Sequence, residues 1–157
     1  DLWENLGRTL RVVAIIAISI TIAMPAYTSY TTRAKVTELI WAASPYRTSI
    51  SEYHATTGQL PRPGAKYGFP TVRNASTMIN RIKLRRPLKT VVFVEVRPSE
   101  NVSGEIKRIQ PVVLRGHLQE NRQIKWDCGV YNRDRRQIPM KYMPSSCRNV
   151  LFFNGRV

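Results

Sequence analysis

A chain of 157 residues has room for one domain with a real core, or one domain plus an extension. With 43% hydrophobic and 22% charged residues, its composition excludes a disordered polypeptide. The formal charge of +15 is unevenly spread: residues 1–57 hold five basic and four acidic groups, whereas residues 58–157 hold 20 basic and six acidic, a net +14. Whatever the basic surface meets, it meets through the C-terminal part.

The chain opens on Asp1 without a Met, which reads as a processed or partial chain. Val12–Met24 (VVAIIAISITIAM) is broken only by Ser19 and Thr21. As a helix it spans roughly 20 Å, short of the ~30 Å hydrocarbon core of a bilayer, and counting from Leu10 to Tyr30 closes the gap. Arg8 and Arg11 then reach one headgroup layer, and Tyr27 and Tyr30 the other, with the basic end predicted to be cytoplasmic. A secretory signal peptide is the competing reading, opposed by a helical pattern that does not stop after the apolar run.

Val36, Leu39, Ala43, Tyr46, Ile50 and Tyr53 recur at spacings of three and four, on one helix face. Gly58 is a natural C-terminal cap and Pro61 forbids continuation. The spacing therefore predicts one helix of some 50 residues, roughly 75–80 Å long, apolar all round in its first half and singly striped in its second. The first half has to be buried in lipid or among copies of itself. Pro25 frees the Thr21 carbonyl and Pro45 the Trp41 carbonyl, so a kink is expected at each. Ser19 and Thr21 offer hydroxyls that compete for backbone groups, which makes the turn before Pro25 the weakest in the helix.

Residues 59–88, with Pro61, Pro63, Gly64, Gly68, Pro70 and Pro87, read as a long loop. Strand-like runs follow at Thr90–Arg97, Val112–Leu118 and Gln123–Cys128, with a weaker one at Val150–Phe153. In the third, Ile124, Trp126 and Cys128 alternate with Lys125 and Asp127, so one face is buried. An antiparallel meander is expected, covered by the stripe from Val36 to Tyr53. Cys128 and Cys147, late in the chain behind an apolar N-terminus, fit either a disulfide made outside the cytoplasm or two unlinked buried thiols.

Val12–Tyr27, with its proline at the end of the most hydrophobic part, resembles the N-terminal helix of the type IV pilins. Thr31–Pro61 is similar to that family's amphipathic half-helix and its exit. Trp126-x-Cys128, followed by Ile138-Pro139-x-Lys141-Tyr142-x-Pro144-x-x-Cys147-Arg148, resembles the C-terminal loop of the type IVa branch. The helix alone would also admit a type II secretion pseudopilin; the Trp-x-Cys…Cys-Arg ending favours a true pilin. The family's acidic residue near the mature N-terminus aligns with Arg8, and its preceding aromatic with Glu4.

The resemblance implies an α+β fold, a long N-terminal spine helix on a four-stranded antiparallel sheet with a C-terminal loop closed by Cys128–Cys147. Such a bond closes a loop of about 20 residues, worth ~3 kcal/mol in the chain-entropy model. The implied division is a hydrophobic half-helix over 1–30 and a head over 31–157, comprising a half-helix over 31–57, a loop over 59–88, and sheet and disulfide loop over 89–157. Val12, Val13, Ile15, Ile16, Ile18, Ile20, Ile22, Met24 and Pro25 are the expected assembly helix. The implied partners are identical subunits in a helical filament, the inner membrane before assembly and the pilus assembly machinery. The implied location is an extracellular pilus serving adhesion, twitching motility or DNA uptake.

No phosphate-binding loop, nucleophile elbow or zinc-protease helix occurs, and two His with two distant Cys form no zinc pattern. His54 reads as a solvated side chain. Asp127 and Asp134 are placed to approach each other but read as charge balance. No catalytic residue, metal or cofactor is expected, and a tethered enzyme has no supporting constellation. The basic runs say more: Arg81, Lys83, Arg85, Arg86 and Lys89 form one cluster, and Arg133, Arg135 and Arg136 another, with Tyr131 beside it for stacking. Such clusters bind DNA or other polyanions by counterion release, which makes a membrane-anchored nucleic-acid-binding pilin the alternative reading. Solvation, or pairing with acidic patches on neighbouring subunits, is the blander account. Asn74-Ala75-Ser76 and Asn101-Val102-Ser103 match the glycosylation sequon.

Overall fold

A computed structural model describes residues 2–64, 77–102, 111–132 and 138–152. The chain divides into two compact units, Asp1–Thr32 and Arg33–Val157. Helix α1 (Leu2–Ala42) starts in the first and ends in the second, and α2 (Ser44–Thr57) follows after one residue. Pro25 sits inside α1 without ending it. Pro45 behaves differently. It occupies the first turn of α2, where a proline lacks only an amide that no helix would use. Around it the bonding tightens to three-residue steps, Ala43 N to Ile40 O at 3.2 Å and Tyr46 N to Ala43 O at 3.1 Å. The expected single helix is therefore two, divided at Ala43. Gly58, at φ 72°, closes α2 by donating to His54 O at 2.8 Å.

The sheet has five strands in the order β1 (Ile79–Leu88), β2 (Val91–Pro98), β3 (Val112–Leu118), β4 (Ile124–Tyr131) and β5 (Asn149–Leu151). The first four form the antiparallel meander, and β5 pairs with β4 in parallel. Two strands depart from expectation. β1 lies inside the stretch read as a loop over 59–88, and the weak run expected at Val150–Phe153 forms β5 at Asn149–Leu151, as a short parallel edge rather than an antiparallel strand.

Val36, Leu39, Ala43, Tyr46 and Ile50 are buried together with Val92, Val94, Val96, Val112, Leu114 and Val130, which places the helical stripe against one sheet face. Tyr53 is half-buried, and His54 takes the next buried place on the stripe. Burial pushes the Tyr46 phenol above its ordinary pKa. A smaller cluster, Val91, Phe93, Val113, Tyr131 and Leu151, lies on the opposite face, with Phe93 and Tyr131 edge to face at 5.6 Å. Cys128 and Cys147 are disulfide-bonded, with Cα atoms 4.5 Å apart.

Candidate assembly helix and cationic surface

In the first unit, the large side chains expected to drive assembly (Val12, Val13, Ile15, Ile16, Ile18, Ile20, Ile22 and Met24) are all 51–70% exposed, and Pro25 is exposed with them. Fully burying one such side chain is worth roughly 1.5–3 kcal/mol, so eight leave on the order of 10 kcal/mol unrealised in the isolated chain. That rivals the whole stability of a typical domain. The hydroxyls on this helix turn inward. Ser19 Oγ donates to Ile15 O at 2.8 Å and Thr21 Oγ1 to Ile18 O at 2.7 Å, while Thr28 Oγ1 reaches Pro25 O at 3.0 Å. Polar groups satisfied within the helix suit an apolar surrounding. The helix is long and apolar enough to cross a membrane.

In the second unit, strand alternation sorts the first basic cluster. Ile82 and Leu84 pack against the main core, so Arg81, Lys83 and Arg85 project from the other face. Arg85 Nε meets Glu95 Oε1 at 2.5 Å, and Tyr131 Oη donates to the same oxygen at 2.8 Å. Glu95 is only 7% exposed, so this pairing satisfies a carboxylate buried in the sheet. Arg86 follows a register shift near the end of β1 and donates to Leu60 O at 2.7 Å, away from that face. Lys89 is exposed in the turn between β1 and β2. Arg133, Arg135, Arg136, Asp134 and Asn74 lie outside the described residues.

Register brings in a residue that the linear clusters missed. Arg97 on β2 stands directly opposite Arg81 and is exposed on the same face. The signal for it was the period-two pattern of Thr90–Arg97, which puts Arg97 with Glu95 and Phe93. Further across, Arg115 pairs with Asp127 at 2.7 Å, which accounts for that carboxylate as charge balance.

Two expectations are corrected here. Tyr131 is buried, with its hydroxyl committed to Glu95, so it offers no ring for a base to stack on. His54 is 9% exposed rather than solvated, because it continues the helical stripe four residues after Ile50. It lines a cavity of about 380 Å³ with Ser51, Arg122 and Gln123, yet the Ser51 hydroxyl is held by Arg47 O at 2.9 Å. No serine–histidine pair results. Asn101 of the second sequon donates its amide to Thr77 O at 3.2 Å.

A helix that leaves its apolar circumference uncovered, joined to a disulfide-closed α+β head, is the build of a subunit made to polymerise. Residues 32–148 match the pilin family of bacterial filament proteins, and the chain belongs to that family. It is 28% identical over 151 residues to the type IV major pilin protein PilE1 of Neisseria gonorrhoeae, covering 88% of each chain. A fimbrial protein of Neisseria meningitidis serogroup B is 28% identical over 155 residues, again covering 88% of both. Fimbrial protein EcpC of Eikenella corrodens is 29% identical over 138 residues, covering 88% of this chain and 84% of its own. As a type IV pilin, the chain is a structural subunit of an extracellular multi-subunit filament.

Proposed function

We propose that the subunit waits in the inner membrane on its N-terminal helix and then transfers that helix, by the assembly machinery, into the centre of a pilus of identical copies. The observation that carries this reading is the exposure of Val12–Met24 on every side. Lipid and neighbouring helices are two apolar surroundings of similar quality, so one surface serves both states. On this reading the chain is structural and catalyses nothing. Negative-stain microscopy of material sheared from expressing cells, with mass spectrometry of the purified fibres, is expected to find this chain as their repeating subunit. Fibres lacking it, or the chain only in the membrane fraction, would overturn the proposal.

A second reading concerns what the finished filament touches. Residues 58–157 carry net +14, so a polymer repeats that field at every subunit. We infer that the head's outer surface binds polyanions, with adhesion or DNA uptake as its use. The supporting observation is that Arg81, Lys83 and Arg97 have no ion pair or hydrogen bond among the described residues.

A further inference from the structure

We propose that the outer face of the β1–β2 ladder is a docking track for the phosphodiester backbone of duplex DNA, with Arg81, Lys83 and Arg97 as the residues that hold it. This deepens the polyanion reading of the head and rests on it.

Four cations, Arg81, Lys83, Arg85 and Arg97, surround a shallow pit of about 30 Å³ whose other lining residues are Glu95 and Pro111. That volume accepts one small group, on the scale of a water or a single phosphate oxygen. Glu95 is the one acid among the described lining residues, and its carboxylate is already engaged by Arg85 and Tyr131. Three cations are left facing outward without a partner among the described residues. Two of them are cross-strand partners, Arg81 opposite Arg97. Like charges directly opposite one another in a sheet destabilise it. A sheet that keeps such a pair breaks a local rule, and rules are broken most often where a site needs it. An external anion between the two guanidinium groups turns the repulsion into two charge-assisted contacts.

The ligand class follows from spacing and from what is missing. Alternate residues on a strand stand about 6.8 Å apart, close to the through-space step between neighbouring phosphates of one DNA strand. A strand laid along β1 thus meets Arg81 at one phosphate and Lys83 at the next, with Arg97 reaching in from β2. Guanidinium groups suit phosphate through their planar fork. Phe93 and Tyr131, the aromatic rings of this face, are buried. With no exposed ring on this face among the described residues, unpaired bases gain nothing here, so the track reads a backbone and accepts a double helix.

The test uses the full chain in non-ionic detergent and a fluorescent duplex of mixed sequence, titrated by anisotropy at several salt concentrations. The triple variant Arg81→Gln, Lys83→Gln, Arg97→Gln is expected to lower the slope of log affinity against log salt by about 2.7, near 0.9 per lost phosphate contact. Arg81→Lys with Arg97→Lys should keep the slope, and Lys89→Gln, in the turn, should leave it within one contact of the parent. Thermal unfolding of the triple variant should be no lower than the parent's, because the like-charge pair is gone. Parent protein that fails to bind duplex at low salt overturns the polyanion reading and this site together. Parent binding with an unchanged slope in the triple variant overturns the site alone. A single strand of equal charge bound more tightly than the duplex, or a sulfated polysaccharide showing the three-residue dependence that DNA lacks, overturns the ligand class.

Discussion

Gly129 shows how closely the C-terminal edge is fitted. A Cβ there would fall 1.9 Å from Asn149 O, inside any permissible contact, so the parallel approach of β5 to β4 requires a residue without a side chain. The Asn149 amide nitrogen, donating to Cys128 O at 2.9 Å, ties the same two strands next to the disulfide. Gly129→Ala is expected to cost about 1–3 kcal/mol, the usual range for overpacking, and to release β5 first. Urea denaturation with the disulfide intact measures the first effect, and hydrogen exchange of the Val150 and Leu151 amides the second. An unchanged midpoint would mean that the two strands part without loss. Gly116 is a milder case, since its added carbon would meet the side chains of Val92 at 2.9 Å and Trp126 at 3.0 Å.

Among the elements, legibility followed chemistry. β2, β3 and β4 announced themselves through Val-rich runs and the alternation of Ile124, Trp126 and Cys128, and the structure has them within a few residues of the expected positions. β1 hid because four of the ten residues of INRIKLRRPL are basic and it carries Pro87; its period-two signal, Ile82 and Leu84 against Arg81, Lys83 and Arg85, was present but masked by charge. β5 pairs over three residues with a partner some 20 positions earlier, and no local pattern encodes that. In the candidate site, the sequence supplied Arg81 and Lys83. The register that adds Arg97 and the burial that removes Tyr131 are tertiary facts. His54 was misread because a polar side chain was assumed to face water wherever helical phase permitted a choice between it and Tyr53. At α1, Pro25 leaves one donor missing while the helix continues, and Ser19 and Thr21 hydroxyls already compete for carbonyls there. Some residues between Ala17 and Pro25 are expected to lose helical bonding once the helix is packed in a filament. A filament map showing unbroken, straight helix through this stretch would refute that, and Pro25→Ala should then leave assembly unaffected.

For the molecule as a whole, the two units answer to different solvents. Arg33–Val157 buries its own core, with Arg33 donating to Lys141 O at 2.8 Å and Lys35 to Asn101 O at 3.3 Å as further ties from α1 to the head. Asp1–Thr32 buries none of its large apolar side chains. Removing residues 1–30 should therefore yield a soluble monomer with the head's thermal unfolding retained, seen as a single species by analytical ultracentrifugation. If the truncated chain still formed the same fibres, assembly through the N-terminal helix would be wrong.

The short parallel ladder at the C-terminal edge has a kinetic side. Three paired residues are far too few to persist alone, and β5 has no turn to hold it against β4. The Cys128–Cys147 bond sits two residues before β5 begins, so a β5 that peels away stays within a few ångströms of its partner. Its return is an intramolecular event at high effective concentration, much faster than any search by a free end. The edge is thus built as a latch on a hinge: a β5 that opens wanders little and closes in register. An invading strand from another molecule competes against a local concentration that it cannot match.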